Sequence, residues 1–87
     1  MNTNELSYTY ILKCKDETLY VGSTNDLEKR LYQHNNLKSG AHYSKIRRPV
    51  ILVYSEELES LKLARARELE LKKLNRKEKL DLINKTN

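Results

Sequence analysis

The stretch "SYTYILKCKDETLYVGSTNDLEKRLYQH", residues 7–34, decides the fold of this chain. Its first part has aromatic and β-branched residues at strand spacing, which predicts a strand over 8–14. The segment "KDE" supplies a turn, and "TLYVG", residues 18–22, predicts a second strand that pairs with the first in an antiparallel hairpin. The same stretch spaces three candidate functional side chains at intervals of ten: Tyr10, Tyr20 and Arg30.

The rest of the chain predicts one more strand and three helices. The elements are a helix from about 26 to 36 capped by Asn25 or Asp26, a short helical turn at 41–47, a strand in "VILVY" after Pro49, a helix from Ser60 to about Leu74, and a last helix over 76–84 beyond Asn75. "VILVY" is a continuous apolar run, which favours a strand buried on both faces. The fold class expected is α/β (α+β), a small three-stranded, mostly antiparallel sheet flanked by helices in the order β-β-α-β-α-α.

Size and composition limit the class of protein. Eighty-seven residues suffice for one domain, 1–87, that buries roughly 60–65% of its unfolded surface. The chain has no apolar run near the roughly 20 residues of a membrane span, and "MNTNELS" lacks the plan of a signal peptide, so we expect a cytoplasmic protein. The lone Cys14 and two histidines make no zinc spacing. We interpret Cys14 as a buried structural thiol, with a catalytic thiol as the alternative.

The charge distribution favours a polyanionic partner. The net charge is +5 and the isoelectric point is near 9.4. Lysine and arginine concentrate in 38–48, "KSGAHYSKIRR", and in 72–79, "KKLNRKEK". These segments predict a surface that follows phosphates, although a solvated face would look the same. All six aromatic residues are tyrosines, which suggests a wet, polar concavity.

Polar side chains interrupt two apolar helix faces. Leu27, Arg30, Leu31 and His34 share one face of the first helix, and Glu68 lies on the stripe of the next helix formed by Leu61, Ala64, Leu71 and Leu74. A charge drawn toward a core needs a partner. The spacing allows a buried Arg30–Glu68 pair with His34 as a core residue, and equally a metal site at Glu68. Gly22 has no side chain, so either a ligand backbone could approach it or the glycine is needed only for the turn of the hairpin. Ser23 offers a hydroxyl beside it.

These residues together resemble the GIY-YIG nuclease superfamily. Its two motifs correspond to "TYI", with Tyr10, and to "YVG", with Tyr20 and Gly22. Arg30 matches the catalytic arginine, His34 a helix position that often carries His or Tyr, and Glu68 the catalytic glutamate. The likeness covers about residues 8–84. It is greatest to small stand-alone bacterial members, akin to the N-terminal nuclease domain of the excision-repair incision subunit.

The resemblance implies metal-dependent hydrolysis of DNA phosphodiesters, directed by structure more than by sequence, in repair or processing. Tyr20, helped by Tyr10 or His34, would position or deprotonate the water, Arg30 would clamp the phosphate, and Glu68 would hold one Mg²⁺ or Mn²⁺. No small-molecule cofactor or membrane is expected. The candidate DNA contacts are Gly22, Ser23, Lys45, Arg47, Arg48, Lys72, Lys73 and Arg76.

The chain departs from the larger members of the family at three places. Tyr8-Thr9 stands in place of Gly-Ile, Ser23 replaces a lysine of the repair subunit, and Leu80 stands where larger members have asparagine. These departures leave two alternatives open. One is a GIY-YIG fold that binds DNA without cutting it, and the other is a basic module recruited to a repair or ribosomal complex.

Overall fold

The computed structural model describes residues 6–36 and 49–85. The described elements are β1 (Ser7–Cys14), β2 (Leu19–Thr24), α1 (Leu27–Asn36), β3 (Val50–Leu58), α2 (Leu61–Lys72) and α3 (Arg76–Lys85). Their order, β-β-α-β-α-α, and the antiparallel pairing of all three strands confirm the predicted fold class. The helical turn predicted at 41–47 lies outside the described residues. Within the described ranges, none of the helices has the length and apolar character needed to cross a bilayer.

The sheet has the order β2-β1-β3, so β1 is the central strand. On one face, Tyr10, Leu12 and Cys14 pack with Val50 and with leucines of α1. On the other face, Ile11, Val21 and Tyr54 pack with Leu71 of α2 and Ile83 of α3. Helices on both sides therefore bury the central strand, while β2 and β3 are the outer strands of the described sheet.

β3 corrects the prediction of a strand buried on both faces. It runs to Leu58, and Ile51 and Leu52 are 55% and 39% exposed, although Val50 and Tyr54 are buried. The register shifts opposite Ile11 and Leu12, where β3 carries an extra residue. The apolar run belongs to an outer strand because β1, with its alternating pattern, takes the central place. Length and apolar content could not distinguish these two positions.

The helix ends are fixed by side chains that the sequence indicates. The carboxylate of Asp26 accepts from the backbone N–H of Lys29 at 3.0 Å, which selects Asp26 as the cap of α1. The hydroxyl of Ser60 accepts from the Leu63 N–H at 3.1 Å and caps α2. Asn75 and Glu78 exchange hydrogen bonds in a capping box that begins α3.

Two polar contacts attach the helices to the sheet. The side-chain amide of Asn35 in α1 donates to the carbonyl of Val50 and accepts from its N–H, at 3.1 and 2.8 Å. The hydroxyl of Thr9 in β1 donates to the carbonyl of Ala64 in α2 at 2.6 Å, in a fully buried position. Both contacts satisfy polar groups that burial would otherwise leave without a partner. They hold α1 and α2 on opposite faces of the sheet.

Gly22 provides space for the ring of Tyr10. The two residues are paired across β1 and β2, and both are buried. A Cβ built on Gly22 would lie 2.6 Å from Cζ of Tyr10, and closer still to its hydroxyl oxygen. The missing side chain therefore serves the packing of Tyr10, a role beyond the two that the sequence suggested.

A network of charged groups joins β3 to α2. Arg67 binds both carboxylate oxygens of Glu56 at 2.9 and 3.0 Å and also reaches Glu70, and the hydroxyl of Tyr54 donates to Glu56. Burial on its own raises the pKa of Glu56, but hydrogen bonds from Arg67 and Tyr54 outweigh it and hold this pKa below its ordinary value. Burial raises the pKa of Tyr54 to about 12. The network stabilises the folded state while Glu56 is ionised.

We expect Glu56→Gln to lower the free energy of unfolding at neutral pH by about 1–3 kcal/mol, because Arg67 loses a charged partner. The contribution of Glu56 is complete above its unfolded pKa, near 4.5, and is lost as the pH falls through the lower folded pKa. Urea denaturation should therefore show the gap between wild type and variant narrowing at acid pH. Glu70→Gln is the matched control, since this exposed partner of Arg67 should change stability by less than about 1 kcal/mol. Equal effects of the two variants would contradict the network.

We expect Gly22→Ala to lower the free energy of unfolding by about 1–3 kcal/mol, because the added methyl group overpacks the ring of Tyr10. In a Tyr10→Leu background the same substitution should cost much less, since Leu removes the atoms that clash. The double-mutant cycle, measured by urea denaturation, gives the coupling energy directly. Additive effects would show that Gly22 has another role.

Candidate functional site

The phenol–imidazole cluster consists of Tyr10 from β1, Tyr20 from β2 and His34 from α1. The Tyr10 hydroxyl lies 3.2 Å from Nε2 of His34. The Tyr20 and His34 rings meet edge to face with their centroids 5.0 Å apart, and the Tyr10 and His34 centroids are 6.1 Å apart. His34 is 0% exposed and Tyr10 is 2% exposed, whereas Tyr20 is only half-buried. The structure thus brings together three of the predicted residues, and of these Tyr20 is the most accessible to solvent.

His34 is enclosed inside the domain. Its ring has no exposed surface in this conformation, and it contacts Tyr10 and Tyr20. Tyr10 is likewise enclosed, and its hydroxyl is directed at His34 inside the domain.

Arg30 lies beside this cluster, one helical turn before His34. Its Nη1 donates to the side-chain carbonyl of Gln33 at 3.1 Å. Burial on its own lowers the pKa of Arg30, but hydrogen bonding with Tyr10 and Tyr20 and their charges outweigh it and raise this pKa. Burial raises the pKa of Tyr10 to about 12, the charge of Glu68 acts in the same direction, and the hydrogen bond with Arg30 opposes it. Arg30 is therefore a fixed cation at two phenols, and Tyr10 stays protonated at neutral pH.

Glu68 reaches the site from the opposite face of the sheet. Its Oε1 accepts from the hydroxyl of Ser23 in β2 at 2.6 Å, and its Oε2 lies 2.7 Å from Nζ of Lys72. Ser23 pairs with Thr9, which binds α2, so the serine and glutamate share the α2 face. Within the described residues Glu68 has no ion pair with Arg30. The structure thus decides against the buried Arg30–Glu68 pair.

A cleft of about 300 Å³ runs around the outer edge of β2, between α1 and α2. It is lined by Ser23, Thr24, Asn25, Asp26, Lys29, Arg30, Gln33, Leu61 and Arg65. Arg30 on one wall and Ser23, the partner of Glu68, on its floor belong to the predicted set. Lys29 and Arg65 were missed by the sequence analysis. Their place in the lining of the cleft distinguishes them from the other cations of the described residues.

The six cations among the predicted DNA contacts divide into three groups. Lys72 is engaged with Glu68 and lies near the cleft, and the exposed Lys73 follows it at the end of α2. Arg76 donates to the carbonyl of Glu17 at 2.9 Å and lines a separate groove with Thr18, Leu19 and Lys79. Arg76 is therefore placed at the hairpin turn, away from the cleft. The other candidates, Lys45, Arg47 and Arg48, lie outside the described residues.

Cys14 is 2% exposed and packs in the cluster that faces α1, with Leu12 and Val50. This position agrees with a structural thiol. It lies at the turn end of β1, across the strand from Val50 and beyond the residues that line the cleft. The structure gives no support to the alternative of a catalytic thiol.

Comparison with known proteins gives consistent matches. The sequence of residues 6–81 matches the family described as the GIY-YIG catalytic domain. A UPF0213 protein of Syntrophus aciditrophicus is 53% identical over 77 residues, covering 88% of each chain, and one of Clostridium perfringens is 55% identical over 78 residues, covering 90% of this chain and 83% of the relative.

Two structures solved by NMR have the same fold. The UPF0213 protein BH0048 of Bacillus halodurans has a TM-score of 0.57 and 37% identity, with 91% of this chain and 83% of that chain covered. The protein EF2693 of E. faecalis has a TM-score of 0.60 and 35% identity, with 94% and 88% covered. The family match and the relatives together show that this chain belongs to the GIY-YIG family, a nuclease superfamily.

Proposed function

We propose that this protein hydrolyses phosphodiester bonds of DNA with the help of a divalent cation, in DNA repair or processing and with a preference for structure over sequence. The observation that carries the proposal is the position of Arg30. Its guanidinium adjoins two phenols on one wall of a cationic cleft, and Ser23 on the floor of that cleft binds the Glu68 carboxylate. These are the groups that phosphoryl transfer needs on either side of a phosphate.

Arg30 binds the phosphate that is cleaved. Its planar fork of N–H donors suits two phosphate oxygens, and its side chain is held by Gln33 and the phenols. The charge that develops on the phosphoryl oxygens in the transition state is thereby stabilised without reorganisation of the site.

Tyr20 is the residue that positions or deprotonates the attacking water. The Arg30 guanidinium lies beside Tyr20, and this half-buried tyrosine keeps part of its surface accessible to water. Tyr10 remains protonated and orients His34, which in turn packs against the Tyr20 ring. Tyr10 and His34 are therefore positioning residues for Tyr20.

Glu68 suits a cation of the Mg²⁺ or Mn²⁺ class as its single protein carboxylate. Within the described residues, no group of three or more His, Cys, Asp or Glu comes together to enclose a metal. Mg²⁺ accepts such a site because it keeps several waters and takes its other ligands from substrate phosphates. The ammonium of Lys72 at Oε2 shows that this carboxylate attracts a cation. When bound, the metal would polarise the phosphoryl group and stabilise the leaving oxygen.

A second candidate function is DNA binding without cleavage, and Leu80 favours it. This residue occupies the place of the asparagine of larger family members, and it packs against the core cluster of the α2 and α3 face. It offers no polar group to a metal or a phosphate. The two functions share the cleft and differ in whether the strand is cut.

We expect Arg30→Ala and Glu68→Gln each to lower cleavage of a nicked or flapped DNA substrate by at least about a hundredfold, because the first removes the cation that binds the phosphate and the second removes the proposed carboxylate ligand of the metal. Arg30→Lys should recover only part of the activity, since it keeps the charge but loses the fork. Gel assays with Mg²⁺ and with Mn²⁺ measure the loss, and circular dichroism checks that the variants fold.

Lys62→Gln is the control for cleavage, since this exposed residue of α2 lies outside the cleft. It should keep nearly wild-type activity. A wild-type protein that binds DNA but leaves it intact with either metal would establish the second candidate. Variants that unfold, beside an inactive wild type, would show that Arg30 and Glu68 are structural charges.

We expect Lys72→Met to tighten Mn²⁺ binding by about fivefold, because it removes a positive charge close to Glu68 that is worth about 1 kcal/mol in a solvated setting. Isothermal titration calorimetry without DNA measures the affinity. The control is Lys73→Met, which removes the same charge from the residue next to Lys72. Lys73 has no ion pair with Glu68 in the described part of the chain, so this variant should change the Mn²⁺ affinity less. Equal affinities of all three proteins would place the metal elsewhere.

A further inference from the structure

We infer that the cleft binds a second phosphate, adjacent to the one that is cleaved, between Lys29 on α1 and Arg65 on α2. The ligand is then one continuous nucleic-acid strand with at least two consecutive phosphates. This inference rests on the proposed function, because Arg30 is taken to bind the phosphate that is cleaved. It adds a second phosphate subsite and requires a substrate with at least two consecutive phosphates.

The two cations come from different helices, α1 and α2, and line the same cleft as Arg30. Within the described residues, neither Lys29 nor Arg65 has a carboxylate within 4.0 Å. The acidic residue of the cleft is Asp26, and its side chain caps α1 by accepting from the Lys29 N–H. The cleft therefore carries an excess of positive charge that the described part of the chain does not balance.

Neighbouring cations on α2 have acidic partners, unlike Arg65. Arg67 is held by Glu56 and Glu70, and Lys72 is held by Glu68. Each of these cations has its acidic partner on the same helix or on the adjacent strand. Arg65 is directed into a concavity without one, which is the expected arrangement when the partner is a ligand.

The size and chemistry of the cleft fit a phosphate with part of its nucleotide. A volume of about 300 Å³ is at the lower end of the range for ligand sites, which excludes an extended duplex from the interior. Arg30 is already engaged with the phenols and takes one phosphate, so the other two cations of the cleft, Lys29 and Arg65, are left for the next phosphate along the strand. Hydroxyl and amide groups of Ser23, Thr24 and Asn25 line the floor and suit phosphate and sugar oxygens.

The test is the salt dependence of binding, measured with a fluorescein-labelled oligothymidylate of about eight nucleotides in EDTA, where no metal-dependent cleavage occurs. The variant Lys29→Gln/Arg65→Gln should bind more weakly and reduce the slope of log K against log salt by about 0.7, the value of one phosphate contact on a single strand. The matched control is Lys62→Gln/Lys85→Gln, which removes the same charge from exposed residues of α2 and α3 outside the cleft. It should leave the slope unchanged.

The other possible results each either overturn or support the second phosphate subsite. Equal slopes for the two double variants, or a wild type that does not bind the strand, would overturn the subsite. So would an equal loss of affinity for thymidine monophosphate or for an acidic peptide, since the site would then be a general anion site. Wild-type binding with the expected change of slope but without cleavage in Mg²⁺ would overturn the proposed hydrolysis and keep the subsite, so the two failures are distinguishable.

Discussion

The buried hydroxyl of Tyr10 constrains the arrangement of the whole site. A phenolic hydroxyl removed from water is costly unless it has a hydrogen-bond partner, and His34 of α1 supplies that partner at 3.2 Å. The helix therefore docks with His34 over Tyr10, and this position brings Arg30 to the phenols one turn earlier. Gly22 is part of the same constraint, because the ring of Tyr10 occupies the volume of a side chain at that position. Asn35 completes the attachment of α1 by bonding to the first residue of β3.

The two halves of the site lie on opposite faces of the sheet, and they come together at the edge of β2. Arg30 and the tyrosines belong to the α1 face, whereas Glu68 belongs to the α2 face. Because β2 is an outer strand of the described sheet, residues from both faces can reach around its edge. Ser23 connects the two faces, because it lines the cleft that contains Arg30 and its hydroxyl also donates to Glu68.

The sequence predicted the parts of the site that depend on local periodicity. The helical spacing of Leu27, Arg30 and His34 correctly placed the arginine and the histidine on the buried side of α1, and the caps Asp26 and Ser60 followed from local side-chain chemistry. The partners of charged residues could not be predicted in this way. Glu68 pairs with Ser23 and Lys72, and Arg65 lies in the cleft, because of how α2 crosses the sheet. The place of β3 at the edge is likewise a long-range property, which "VILVY" does not encode by itself.

The two tyrosines of the cluster have different environments, and their proposed roles follow from this difference. Tyr10 is enclosed, and burial holds its pKa near 12, so at neutral pH it keeps its proton and serves as a fixed polar group. Tyr20 shares the same histidine and the same arginine but keeps part of its surface accessible. A group that exchanges a proton with water must be reachable by water, and among the tyrosines of this cluster only Tyr20 combines that access with an adjacent cation. The role proposed for Tyr20 therefore rests on its access to solvent, and the role proposed for Tyr10 rests on its enclosure beside His34.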